Sequence, residues 1–125
     1  MAIRDGRAVG MGFGVDALLG NWWVDIVTGA LGRRHPALQD AWTLVELAVR
    51  PSYRGRGVGT GLHDALWAAH NRPRAVLSTQ VDNEGARRLY ERLGWRLLHP
   101  GLLFPGNPVP YVIMGREREP AAATR

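Results

Sequence analysis

Glycine stands at every second position from 55 to 61, in Arg54-Gly-Arg-Gly-Val-Gly-Thr-Gly61. An apolar alternation from Trp42 to Val49 precedes this stretch, and an apolar helical spacing from Leu62 to Ala69 follows it. A chain that passes from strand to helix through such a segment gathers unpaired backbone N–H groups at the positive end of a helix. That geometry cradles phosphate. The local pattern thus predicts a strand, a glycine loop and a helix, with a phosphate-bearing ligand at the junction.

The other elements follow from periodicity and punctuation. Asp5-Gly6 predicts a turn, followed by a short strand near Arg7 to Phe13 that Gly10, Gly12 and Gly14 weaken. Asn21 predicts a helix cap, with Trp22, Trp23, Ile26, Val27, Ala30 and Leu31 at helical spacing behind it. Gly32 to Asp40 reads as a polar connection. Trp42 to Val49 is the clearest strand, and Pro51 ends it. A helix runs from about Val58 to Ala69, where Asn71-Arg72-Pro73 stops it. Ala75 to Val81 is a second core strand. Asp82 or Asn83 caps a third helix that ends at Gly94. Trp95 to Leu98 is a short strand, His99 to Pro110 a loop rich in proline, Tyr111 to Met114 the last strand, and Glu117 to Arg125 a frayed tail. This order predicts an α/β fold with a mixed central sheet, whose parallel part is Trp42–Val49 and Ala75–Val81 joined by a crossover helix.

With 125 residues, one domain with one core is expected, spanning 1–116, with 117–125 as a flexible tail. There is no cysteine, which excludes disulfides, thiol nucleophiles and thiolate metal sites. His35, His63, His70 and His99 form no metal-ligand spacing, so no metal is expected. His63 and His70, seven apart, suit a surface helix face. No apolar run is long enough to span a bilayer and the first residues resemble no signal peptide, so the expected location is cytoplasmic with no membrane partner. Net charge is +5 and all 16 basic residues are arginine. These are scattered rather than aligned on one helix face, which ranks a nucleic-acid module low.

Two familiar phosphate loops do not fit. A Walker A loop requires a lysine, and the chain has none. A dinucleotide fingerprint fails because Thr60 or Leu62 falls where its third glycine belongs. Instead Arg54, Gly57 and Gly59 resemble the Arg/Gln-x-x-Gly-x-Gly/Ala pattern of the Gcn5-related N-acetyltransferases (GNAT). Asn83, Ala86, Tyr90 and Gly94-Trp95 are similar to the family's downstream Asn-x-x-Ala-x-x-x-Tyr-x-x-x-Gly-aromatic segment. The resemblance is firm from Leu44 to Leu98. Family members begin with a further strand and two helices ahead of the hairpin that starts here at Asp5-Gly6, so the fold is read as N-terminally short.

The resemblance implies an enzyme that moves an acetyl group from acetyl-CoA to a primary amine by direct attack. It implies that the pyrophosphate of coenzyme A rests on backbone from Arg56 through Gly57, Val58 and Gly59 to Thr60, with Arg54, Gly55 and Arg56 beside it. It implies that the pantetheine arm pairs with Leu47, Ala48 and Val49 where two core strands splay apart, and that an N–H near Leu47 or Ala48 meets the thioester carbonyl. Asn83, Ala86 and Tyr90 share a helical face toward the arm. Asn83 reads as contact, helix cap, or both. Tyr90 reads as the acid that protonates the leaving thiolate or as a core aromatic. Glu46, a carboxylate inside an apolar strand, reads as a buried general base or as a structural partner of an arginine. Asp25 could meet a substrate ammonium or be a solvated helix charge. The implied partner is a small-molecule or peptide amine, and a homodimer is allowed. The alternative reading is a non-catalytic or degenerate CoA-binding domain.

Overall fold

The computed structural model describes residues 1–118. One six-stranded sheet carries three helices. The strands are β1 (Ala2–Arg4), β2 (Arg7–Asp16), β3 (Ala41–Val49), β4 (Arg74–Gln80), β5 (Arg96–Leu102) and β6 (Tyr111–Glu117). The helices are α1 (Trp22–Leu31), α2 (Val58–Ala69) and α3 (Glu84–Arg92), and the strands lie in the order β1-β2-β3-β4-β6-β5. The mixed α/β architecture read from the sequence is the one found. No helix among the described residues is long and apolar enough to cross a membrane.

Local chemistry explains most boundaries. Asp5 and Gly6 both take positive φ (52° and 74°), as a two-residue hairpin turn between β1 and β2 requires. Asn21 caps α1 by accepting from Trp23 and Val24 N–H, and Asn83 caps α3 by accepting from Ala86 N–H at 3.1 Å. Gly94 ends the α3 turn at φ +93°. The three glycines that weaken β2 by propensity have a packing role. A Cβ at Gly10 would press on Val58 and Leu62, and one at Gly12 would meet Leu66, so α2 lies directly against this strand.

Several elements differ from the sequence reading. β1 is added at the front, since three residues are too few to show an alternation. β5 runs on through Pro100 to Leu102, because an edge strand can leave the missing proline N–H facing away from its single neighbour. β6 continues through Glu117, which pairs with Arg74 of β4. Arg118 is anchored as well, donating from Nη2 to the carbonyl oxygens of Trp67 (2.9 Å) and His70 (3.0 Å). The strand therefore takes up the first part of the expected tail, and 119–125 lie outside the described residues.

His63 is not on a surface face. It is buried, its Nε2 accepts from Trp95 Nε1–H at 2.9 Å, and Nδ1 lies 3.0 Å from Asp64 Oδ1. His70 stacks on Trp42 with centroids 4.5 Å apart. The main core lies between the sheet and helices α2 and α3, and includes Trp42, Leu44, Leu77, Tyr90, Trp95 and Met114. A second core, with Val27, Phe104 and Ile113, lies under α1 on the other side.

Candidate active site

The parallel ladder between β3 and β4 is short. Ala41, Trp42 and Thr43 pair with Arg74, Ala75 and Val76, and no pair follows. From Leu44 onward the two strands diverge, as the resemblance implied. β3 meanwhile stays paired with β2 as far as Val49. Arg50 donates its N–H to Val9 O at 2.7 Å. Backbone groups alternate along a strand, so Val49 and Leu47 aim theirs away from β2, into the gap. Ala48 aims its own at β2.

The gap opens into a cleft of about 800 Å³. β3 supplies Glu46, Leu47, Ala48 and Val49 to it, the glycine loop and the start of α2 supply Arg54, Gly55, Gly57, Gly59 and Thr60, and α3 with its cap supplies Asn83, Ala86 and Tyr90. Three segments far apart in sequence thus converge, and they are the segments the two motifs mark.

Gly57 is the residue before α2 and has left-handed backbone (φ +80°) with no side-chain cap. The first α2 hydrogen bond is Gly61 N–H to Gly57 O, at 3.0 Å. The N–H groups of Val58, Gly59 and Thr60 therefore find no backbone partner among the described residues. Among the described residues, apart from the adjoining ones, no atom lies within 4 Å of a Cβ built at Gly55 or Gly57. Positive φ demands glycine at both positions, and the space beside them is open. A row of free donors, a helix dipole and open room suit a pyrophosphate, so the residues present fit coenzyme A.

Two members of the expected loop act otherwise. The Val58 side chain is buried with Val9 and Leu62, so its backbone alone faces the cradle. Arg56 lies outside the cleft lining and stacks over the Tyr53 ring, 5.2 Å from its centroid. Sequence reasoning missed four cleft residues, Tyr53, Gly85, Leu89 and Arg92. Gly85, Leu89 and Arg92 form a second stripe on α3 at helical spacing, which periodicity could have flagged.

The expected burial of Glu46 is not found, because its carboxylate is exposed where β4 has peeled away. Tyr90 is buried (9% exposed). Burial pushes its phenol above the ordinary tyrosine range, and the negative Glu46 pushes it further. The phenol therefore stays protonated through neutral pH and above. Asp25 is outside the cleft, and its Oδ1 accepts from Gly20 N–H at 2.9 Å.

A family model described as the Acetyltransferase (GNAT) family matches residues 1–95. The chain belongs to the GNAT acetyltransferase family. Among curated relatives, this GNAT chain is 33% identical over 118 residues to a GCN5-like protein acetyltransferase of Mycobacterium tuberculosis. That match covers 86% of this chain and spans 57% of the relative's length. In fold it resembles Ard1 from Thermoplasma volcanium, with TM-score 0.68 at 20% identity, covering 93% of this chain and 67% of that one. It also resembles Arabidopsis thaliana Naa50, solved with the bisubstrate analogue CoA-Ac-MVNAL. There the TM-score is 0.54 at 20% identity, covering 62% of this chain and 55% of that one.

Proposed function

We propose that this GNAT domain transfers an acetyl group from acetyl-CoA to a primary amine by direct attack. The observation that carries the reading is the convergence of three features on one cleft: the helix terminus with free donors, the backbone edge of β3 and a buried tyrosine. The solved relative with a CoA-peptide analogue supports the choice of ligand.

Acetyl-CoA supplies an activated thioester. The chain's part is to hold and polarise it. Val58, Gly59 and Thr60 N–H would bind the pyrophosphate, with Arg54 adding a charge-assisted contact. Leu47 and Val49 would pair with the pantetheine amides in the manner of an added strand. Between Leu47 and Ala48, the register of β3 favours Leu47 as the N–H donor to the carbonyl oxygen, since Ala48 points at β2. A fixed donor there stabilises the negative charge that builds as the amine attacks. Asn83 spends its side-chain oxygen on the helix cap, which leaves its Nδ2 as the donor to the arm. Tyr90, held protonated, would give its proton to the departing sulfur, and Glu46 would take the proton from the amine, directly or through water. No covalent enzyme intermediate is involved.

Thermal unfolding with and without acetyl-CoA tests the reading. At a hundred times its dissociation constant the ligand should add about 2.7 kcal/mol of stability. An unchanged melting temperature would overturn the assignment, and a shift without turnover over an amine panel would leave only a CoA-binding domain. Tyr90→Phe is expected to lower kcat about a hundredfold while the acetyl-CoA Kd stays within twofold, because the lost hydroxyl acts on the leaving group and not on binding. An unchanged kcat in stopped-time assays would remove Tyr90 from the chemistry.

A further inference from the structure

Tyr90 stands in the last turn of α3, a helix of nine residues. Helix ends leave carbonyl groups without partners and fray readily. A proton donor placed there has to be held by its surroundings. Trp95 does this. After the turn at Gly94 the chain folds back, and Trp95 N–H donates to Tyr90 O at 2.9 Å. The Trp95 ring meets the Tyr90 ring edge-on, with centroids 5.9 Å apart.

Trp95 is in turn fixed from α2. Its Nε1–H donates to His63 Nε2 at 2.9 Å, and both side chains are buried. An indole N–H can only donate, so His63 Nε2 accepts and the ring proton sits on Nδ1. Nδ1 lies 3.0 Å from Asp64 Oδ1, which takes that proton's hydrogen bond and orients the ring. His63 is one turn along α2 from Gly59, whose N–H belongs to the phosphate cradle. A continuous set of contacts thus runs from the helix that carries the cradle, through His63 and Trp95, to Tyr90 on the other wall of the cleft.

Resting on the acetyltransferase reading, we propose that His63 is a positioning residue, whose hydrogen bond to Trp95 sets where the Tyr90 hydroxyl stands relative to the cradle and so to the sulfur of a coenzyme held there. A misplacement of about 1 Å at a reacting group can cost about a hundredfold in rate. His63→Leu deletes the acceptor and should lower kcat about tenfold, while the acetyl-CoA Kd, read by calorimetry, stays within about twofold. His63→Gln keeps an acceptor in place and should bring kcat back to within about threefold of the original. Trp95→Phe removes Nε1 and keeps an aromatic ring. It should lose as much as His63→Leu, and the two together should lose no more than either alone.

The deciding comparison is made in Tyr90→Phe, at a temperature where thermal unfolding shows every variant folded. There His63→Leu should lower kcat no further, because the hydroxyl it positions is gone. Should His63→Leu fail to fold, Trp95→Phe in the same background carries the comparison. Losses that add to that of Tyr90→Phe would show a merely structural role and overturn the inference. So would an unchanged kcat in His63→Leu or Trp95→Phe, a His63→Gln protein as slow as His63→Leu, or an unchanged kcat in Tyr90→Phe itself. Absence of the acetyl-CoA melting shift in the unaltered protein is a separate failure, that of the parent reading.

Discussion

Gly57→Glu is expected to abolish acetyl-CoA binding, so that the ligand-induced gain of about 2.7 kcal/mol disappears from thermal unfolding. Two effects act together. Gly57 has φ +80°, a region that costs an ordinary L-residue about 1–2 kcal/mol. A carboxylate at that point also projects beside the free N–H groups of Val58, Gly59 and Thr60 and competes with a phosphate for them. Gly61→Glu is the control. It adds the same charge one turn further along α2, where a Cβ meets nothing within 4 Å and φ is ordinary, and it lies outside the cleft. It should keep the shift. Retained binding in Gly57→Glu would show that the cradle lies elsewhere.

Gly14→Ala should cost the fold about 3 kcal/mol or more, at the upper end of overpacking effects. The added Cβ would overlap the Trp42 ring and the carbonyl oxygen of Thr43. Neither can yield. Trp42 is buried and stacked on His70, and Thr43 is backbone in the short parallel ladder. Urea unfolding should show the loss, together with a fall in melting temperature of roughly 10 °C. Gly29→Ala, in the last turn of α1 with open space around it, should instead gain about 0.5–1 kcal/mol. A Gly14→Ala protein as stable as the original would mean that β2 and β3 approach less closely than described.

Two of the segments that line the candidate cleft were legible because each is written locally. Glycines at 55, 57 and 59 and the Asn83, Ala86, Tyr90 face need only a few neighbouring residues to define their geometry. The split between β3 and β4 is a property of two strands whose paired residues, such as Ala41 and Arg74, are far apart in sequence, and only the family resemblance points to it. The burial expected of Glu46 went wrong for the same reason, since an apolar strand sequence does not reveal that its neighbour departs after three pairs. His63 was misread because its partner, Trp95 Nε1, lies across the core. A residue's type and helical phase cannot report a hydrogen bond made from another element. Pro100 reads as a loop signal in the sequence, although an edge strand carries it.

Val45 has an effect out of proportion to its size. Phe13 pairs with Glu46 and Gly14 with Leu44, so Val45 is an extra residue with no counterpart across the ladder. It changes the parity of β3. Trp42 and Leu44 turn toward α2 and α3, and after the odd residue Leu47 and Val49 do so as well, which sends Glu46 and Ala48 to the opposite side. Without that miscount the carboxylate would point into the hydrophobic interior and Leu47 would present its amide to β2. The Leu47 side chain and the Glu46 carboxylate are thus turned to opposite faces of one strand where Val45 has no partner in the ladder.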